Sequence, residues 1–270
     1  MPARKPITIL AFGDVVGRAG REALTQLVPA MREEYSPDLV LANAENLAHG
    51  IGATDKTLDE CREAGIDFFT SGNHIFRKKE IIDRLNAQDS DILRPLNYPP
   101  GTPGQGARLL TIGTKKILVI NVIGRVFFRE DYDDPFRAID LALKEFAAQK
   151  PDAIVIDAHC EATSEANALG WHVDGRTSLL YGTHTHVPTA DAKILPQGTG
   201  YISDVGMVGF KNSILGLKPG EIVKSFLLQQ PFNHEFDEHG PVQVNAILAT
   251  INPVTHGTIS LDRVDREVTI

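Results

Sequence analysis

The sequence predicts an α/β fold in which two sheets, one from each half of the chain, lie between outer helices. Strand and helix signals alternate through the first half, and this order indicates parallel strands joined by right-handed helical crossovers. Apolar residues make up 42% of the 270 residues, which is enough for a large core. No linker or repeat is visible, so we expect one domain over residues 1–270.

In the first half, each predicted strand is a short apolar run and each predicted helix has apolar residues at helical spacing. Gly65 follows the second helix, as is typical of a helix end. Parallel strands bring their carboxyl ends to one edge of a sheet, where ligands bind. The predicted strands are residues 7–12, 39–42 and 66–70, and the predicted helices are residues 21–35, 54–64 and 78–85.

The second half begins with a predicted hairpin, residues 107–112 and 116–122. A helix is expected to follow, capped by Asp134 with Pro135 at its first position, where Pro is favoured. The remaining chain is predicted to be mostly β, with one helix near residues 221–228. Its predicted strands are residues 153–157, 178–181, 192–195, 200–203, 242–251 and 258–264.

Charge and composition exclude several kinds of partner. The net charge is −8 and Lys and Arg form no run longer than three residues, whereas a protein that binds duplex nucleic acid usually carries a basic stripe. No signal peptide is visible, and no apolar stretch approaches the roughly 20 residues that span a bilayer. Cys61 and Cys160 are the only cysteines, so no disulfide framework is expected and Cys160 is predicted to be a buried structural thiol. These features favour a cytoplasmic protein that does not bind a membrane.

A set of polar residues follows the predicted strands. The set combines carboxylates, amides and imidazoles, and its members are Asp14, Glu45, Asn46, Asn73, His74, His159, His184 and His186. Taken singly, each has a plain structural explanation, such as a helix cap for Asp14, a solvated loop for Glu45 or a core position for His159. Because all of them follow strands, their combination predicts one shared site.

Such a set could hold two metal ions side by side. Two ions about 4 Å apart can clamp the attacking and leaving oxygens of a displacement at phosphorus. Glu45 is the candidate bridge, and the oxygen and imidazole donors suit iron, manganese, zinc or cobalt better than calcium. His184 and His186 are two residues apart, so an extended chain would point both the same way. His74 is expected to bond a phosphoryl oxygen or to protonate the leaving oxygen.

Two further predictions concern residues outside this set. Phe127 and Phe128 are expected to pack in a core or a subunit contact rather than stack on a nucleobase. Asp204 ends a predicted strand and could be an outer hydrogen-bond partner of a metal-binding histidine.

Three short segments, residues 13–14, 72–74 and 182–186, each begin with glycine. In each segment the glycine is followed by Asp, Asn or His, which are residue types that bind metal ions. Their order resembles the sequence blocks of the calcineurin-like metallophosphoesterase superfamily. Val16 stands where that superfamily usually has His, and Glu45 stands where it usually has a bridging Asp. Both departures match a bacterial subfamily of small metallophosphoesterases that hydrolyse 2′,3′-cyclic nucleotides and other phosphodiesters.

The resemblance implies a four-layer αββα sandwich of two mixed sheets that forms homo-oligomers. It also implies iron as the native metal, with manganese or zinc as alternatives. One ion would be held by Asp14, Glu45, Asn46 and His186. The other would be held by Glu45, Asn73, His159 and His184, with His74 as the catalytic residue.

The resulting hypothesis is a phosphodiesterase with two metal ions, in which a hydroxide that bridges the ions attacks phosphorus. Its substrate would be a small phosphodiester or nucleotide, and 2′,3′-cyclic nucleotides are favoured on resemblance alone. Two alternatives remain open from the sequence. One is a phosphomonoesterase that uses the same site, and the other is a metal-bearing regulatory or scaffold protein.

Overall fold

The computed structural model describes residues 4–270 except residues 232 and 234. The α-helices are α1 (Gly17–Tyr35), α2 (Asp55–Ala64), α3 (Ile81–Asn86), α4 (Pro135–Phe146), α5 (Thr163–Val173) and α6 (Pro219–Leu228). The strands of the first sheet are β1 (Ile7–Val15), β2 (Leu39–Asn43), β3 (Phe68–Thr70), β10 (Met207–Phe210), β11 (Pro241–Val244), β12 (Ala246–Ile251), β13 (Thr258–Arg263) and β14 (Arg266–Thr269). The strands of the second sheet are β4 (Ala107–Ile112), β5 (Lys115–Ile123), β6 (Ala153–His159), β7 (Leu179–Thr183), β8 (Lys193–Ile194) and β9 (Gly200–Ile202).

Both sheets are mixed. In the first, β1 lies parallel to β2, and on its other side it pairs with antiparallel β12 and then with parallel β10. The second sheet has the order β4-β5-β6-β7-β9-β8, in which β5, β6, β7 and β9 are parallel and the edge strands β4 and β8 are antiparallel. The parallel strands of each sheet therefore end at one edge, where ligands bind in such sheets.

The side chains of β1 show why the sheets pack face to face. Ile9 and Ala11 join a core that includes Val155 and Tyr181 of the second sheet. Leu10 points to the other face and packs in the core formed with α1 and α2, because successive side chains of a strand alternate between faces. A third core packs α4 and α5 on the outer face of the second sheet. The predicted four-layer αββα arrangement is confirmed.

One feature of the predicted topology is wrong. The two sheets do not come from the two halves of the chain, because β10 to β14 return to the first sheet. Strand β12 pairs along its whole length with residues Ile7 to Phe12 of β1. Without it, the side of β1 that faces away from β2 would present unpaired backbone groups inside the protein, which is costly.

Helix α5 was not predicted, because its sequence lacks a clear apolar stripe. Leu169 and Val173 are buried, whereas Trp171 is 57% exposed. Gly170, a poor helix former, lies against the ring of Tyr201, where a Cβ atom would come within 2.5 Å of Cδ2. Strands β10 and β14 were also missed.

The predicted helix ends are confirmed where a cap was assigned. Asp134 accepts hydrogen bonds from the backbone N–H groups of Phe136 and Arg137 at 2.9 and 3.2 Å. Gly65 ends α2 with a φ of 110°, a left-handed conformation that glycine adopts without strain. Among the helices of the described residues, none combines the length and apolar character needed to cross a membrane.

Candidate metal centre

The carboxyl ends of the parallel strands from both sheets meet at one place. Asp14 lies near the end of β1, and its Oδ2 accepts a hydrogen bond of 2.9 Å from the backbone N–H of His184, which follows β7. Deeper in the same junction, Asn43 at the end of β2 donates to Asp157 of β6 at 3.1 Å. The two sheets are therefore joined through polar side chains at this edge.

Glu45, His159 and His184 form the centre of the site. Glu45 Oε1 lies 3.2 Å from His159 Nε2, and His159 Nε2 lies 3.0 Å from His184 Nδ1. The three residues offer ligand atoms that all lie within 4.8 Å of one another. A carboxylate oxygen and two imidazole nitrogens that converge in this way are a donor set suited to a transition metal ion.

Gly72 leaves the space that lets these groups converge. A Cβ atom at this position would lie 2.1 Å from His159 Nε2 and 2.2 Å from Glu45 Oε2. Both distances are far shorter than van der Waals contact. Any side chain at residue 72 would therefore compete for the space of the two ligand heads.

Asp14 and Asn73 each hold a buried oxygen without a partner. Within the described residues, Asp14 Oδ1 and Asn73 Oδ1 have no hydrogen-bond partner, although unpaired buried polar atoms are costly. Asn73 lies between Gly72 and His74, which both contact Glu45. Oxygen atoms left free beside a converging donor set fit metal ions as their missing partners.

Asn46, His74 and His186 form a second group that touches the first through Glu45. His186 Nε2 lies 3.2 Å from Asn46 Oδ1, while its Nδ1 donates to the carbonyl of Leu215 at 3.2 Å. The Asn46 amide lies 3.4 Å from His74 Nδ1. The backbone N–H of His74 donates to Glu45 Oε2 at 3.1 Å. The structure thus brings together all eight residues singled out from the sequence.

The chain is not extended at His184 and His186, so that part of the prediction is wrong. Their φ angles are 105° and 63°, a region that non-glycine residues rarely adopt. The rings diverge, since His184 faces His159 and His186 faces Asn46. Asp204 bonds both the N–H and the hydroxyl of Thr185, at 2.9 and 2.8 Å. It thus supports the backbone between the histidines rather than an imidazole.

A buried relay that the sequence reasoning missed fixes the proton of His159. Thr183 Oγ1 donates to Asp157 Oδ1 at 2.7 Å, so it accepts the 2.9 Å hydrogen bond from His159 Nδ1. Nδ1 of His159 therefore keeps its proton, and Nε2, which faces Glu45, is the nitrogen that can lose a proton to bind a metal ion. Asp157 stands two residues before His159 in β6, and this spacing, which puts both on one face of a strand, was the available signal.

Glu161 fixes the position of the proton on the His184 ring. Its Oε2 lies 2.9 Å from His184 Nε2, so the Nε2 proton points to Glu161 and Nδ1 faces the centre. A carboxylate behind a ligating imidazole fixes its tautomer and raises its basicity. Glu161 was also missed, because nothing in the sequence distinguishes it from a surface residue.

Burial and charge set the protonation states of the site. Burial lowers the pKa of His184 to about 3 and that of His186 to about 4, so both are neutral near pH 7 and able to bind metal. Burial also favours neutral His159, but the Glu45 carboxylate outweighs it and raises the His159 pKa to about 9. A positive charge is thus favoured beside Glu45. Burial raises the pKa of Asp14 well above its ordinary value.

Replacing Thr183 with Val should break the relay without changing the shape of the side chain. We expect the free energy of unfolding to fall by about 1–3 kcal/mol, because the buried Asp157 loses a donor. Metal affinity should fall by about 10–100-fold, as when other outer partners of ligands are removed. Denaturant unfolding and metal titration would measure both effects. Thr25→Val, on an exposed face of α1, is the control, and equal affinities of the two variants would contradict the relay.

Comparison with known proteins places the chain in a family. A family described as YmdB-like protein matches residues 10–264. The chain belongs to this family. It is 42% identical over 256 residues to a 2′,3′-cyclic-nucleotide 2′-phosphodiesterase of Bacillus subtilis (strain 168), covering 95% of this chain and 96% of the relative.

Solved structures agree with the family assignment. The structure titled a novel phosphatase of Mycoplasma pneumoniae superimposes with a TM-score of 0.90 at 31% identity, covering 97% of this chain and 94% of the other. A 5′-nucleotidase precursor of Thermus thermophilus has a TM-score of 0.58 at 14% identity, covering 98% of this chain and 55% of the other, and shows the fold alone. The predicted metallophosphoesterase fold and the prediction of an enzyme are confirmed.

Proposed function

We propose that this protein hydrolyses small phosphodiesters, with 2′,3′-cyclic nucleotides as its substrates, at a site that holds two metal ions. The observation that carries the proposal is the convergence of Glu45, His159 and His184 beside the unpaired oxygens of Asp14 and Asn73. The activity named for the Bacillus subtilis relative supports the choice of substrate.

The two ions would share the Glu45 carboxylate. Asp14, Asn46 and His186 would complete one set of ligands, and the other set would be completed by Asn73, His159 and His184. When bound, the ions would activate the attacking water and neutralise charge on the phosphoryl oxygens. We propose iron as the native metal, with manganese or zinc as alternatives, because the mixed oxygen and imidazole donors suit all three.

His74 is proposed to act on the substrate directly. The Asn46 amide lies 3.4 Å from its Nδ1 and acts as the donor when the ring is neutral, which places the His74 proton on Nε2. Burial lowers the pKa of His74, so the neutral ring prevails near pH 7. Its side chain keeps 26% of its surface exposed. The Nε2 proton can thus bond a phosphoryl oxygen or the departing alkoxide.

The His74→Ala variant should keep its metal and lose most of its turnover. We expect kcat to fall by about 10²–10⁴-fold, the usual contribution of a positioned proton donor. Metal content by emission spectroscopy and steady-state kinetics would be measured on the same preparation. His239→Ala provides a matched loss of imidazole outside the site. An unchanged kcat in His74→Ala would rule out the assigned role.

A comparison of two aryl phosphates tests the proposed reaction. Protein purified without chelator should hydrolyse a bis-aryl phosphodiester and 2′,3′-cyclic nucleotides much faster than an aryl phosphomonoester. Metal analysis of the same sample should find two ions per chain. A faster reaction with the phosphomonoester would instead favour a phosphomonoesterase, and no turnover of any substrate would remove the proposal.

Three further properties are proposed: the location, the oligomeric state and the domain organisation. Cys61 and Cys160 are both buried and unpaired, which supports a reducing cytoplasmic location. Exposed apolar side chains on α6, including Phe226 and Leu227 at 75% and 77%, support homo-oligomers. We propose that residues 1–270 act as one metallophosphoesterase domain.

A further inference from the structure

A loop with two adjacent phenylalanines stands at the rim of the metal centre. This aromatic loop, residues 124–134, joins β5 to α4. The Phe128 ring is half-buried and lies 4.8 Å from the His184 ring, centroid to centroid, at an interplanar angle of 43°. Phe127 is 82% exposed, so it does not pack in a core, and the alternative of a subunit contact stays a prediction.

The aromatic loop is anchored at both ends. At its start, the buried Glu165 carboxylate accepts hydrogen bonds of 3.0 Å from the backbone N–H groups of Arg125 and Val126. Near its end, the Asp133 N–H donates to the Asn97 carbonyl at 2.9 Å. These bonds hold the tip in place, so the position of the phenylalanines is set by the fold.

Tyr132 steadies the inner phenylalanine. Its ring lies 5.8 Å from that of Phe128 and 4.9 Å from that of Tyr98, and both contacts are edge-to-face. The Phe128 ring thus contacts both Tyr132 and His184.

Phe127 is held in a conformation that carries a cost. Its φ is 70°, a left-handed conformation that is strained for a bulky residue. In the described residues, no aromatic ring lies against it. Phe127 directly precedes the ring that contacts His184. Strain of this kind persists at ligand clamps, so the exposed Phe127 is a candidate contact for a ligand.

We propose that Phe127 and Phe128 form the subsite for the nucleobase of the substrate. This inference rests on the proposed function, since a base reaches the loop only when its phosphodiester lies at the metal centre. The ribose would span the gap between the phosphate, held beside His184, and the base. Aromatic faces stack on every base, and the two rings carry no donor or acceptor. The subsite therefore accepts all four bases.

The test compares two cyclic phosphodiesters, of which only one carries a nucleobase. The specificity ratio is kcat/KM for 2′,3′-cyclic AMP divided by kcat/KM for glycerol 1,2-cyclic phosphate, which has no base. Phe127→Ala and Phe128→Ala should each lower this ratio by about tenfold, the loss expected for one stacked ring. Phe127→Tyr and Phe128→Tyr should restore most of it. Trp171→Ala, which removes an exposed aromatic ring from α5, is the matched control.

Two results would overturn the inference. Unchanged kcat/KM for both substrates in both alanine variants would show that the base lies elsewhere. An equal fall with both substrates would show that the rings only support His184 or a subunit contact. If the wild-type protein hydrolyses neither substrate, the proposed function fails separately. Titration with adenosine 3′-phosphate and with glycerol phosphate then tests the base subsite without catalysis, and equal loss of both affinities in the alanine variants would reject it.

Discussion

Glu45→Gln should abolish hydrolysis while the fold remains intact. The substitution keeps the size of the side chain and removes the negative charge that lies 3.2 Å from His159 and 3.6 Å from His74. We expect turnover to fall by at least about a thousandfold, because the proposed two-metal site would lose the anionic ligand that both ions share. Kinetics with a bis-aryl phosphodiester, metal content and thermal unfolding would be measured together.

The matched control is Glu221→Gln, the same chemical change on the surface of α6, where the side chain of Glu221 is 46% exposed. Turnover within tenfold of wild type in Glu45→Gln would contradict the proposed bridge. A Glu45→Gln variant that loses turnover but keeps its biological effect would favour the regulatory or scaffold alternative.

Gly72→Ala should also impair hydrolysis, in this case only through the space that the added methyl group takes up. The new Cβ atom would overlap His159 Nε2 and Glu45 Oε2, at 2.1 and 2.2 Å, and both atoms are ends of side chains rather than backbone. The fold can therefore accept the methyl group by displacing these two heads. We expect metal content to fall and turnover to drop by at least about a hundredfold, since misplacement of about 1 Å at a catalytic site has this effect.

Circular dichroism and metal analysis would separate a displaced site from an unfolded protein. Gly220→Ala is the control, because a Cβ atom there meets nothing within 4 Å. Native-like metal binding and turnover in Gly72→Ala would show that the ligands do not need the space beside residue 72.

The sequence allowed a more complete prediction of the residues at the site than of the order of the strands. Asp14, Glu45 and Asn73 follow parallel strands, and such strands deliver their ends to one edge whatever the order of the sheet. By contrast, β12 lies next to β1 although about the whole length of the chain separates them. Local apolar patterns do not indicate which distant strands pair. They therefore predicted a separate sheet from each half of the chain.

Other features depend on contacts that no local pattern contains. The left-handed backbone at His184 and His186 requires the support of Asp204 below Thr185. The tautomer of His159 requires Thr183 and Asp157 from two neighbouring strands. Helix α5 follows no clear stripe because one of its faces covers a tyrosine ring through Gly170. In each case tertiary packing overrides the local signal.

The pairing of β1 with β10 and β12 also has a consequence for biosynthesis. During synthesis, β1 gains all its neighbours on one side only after residue 251 has been made. Asp14 likewise gains its hydrogen bond from the backbone N–H of His184 only after that residue has been made. Because non-local pairing is slow and leaves strand edges open to aggregation, nascent chains of this protein should depend on chaperones until late in translation. Premature termination before β12 would leave a product with neither a closed sheet nor a competent catalytic centre.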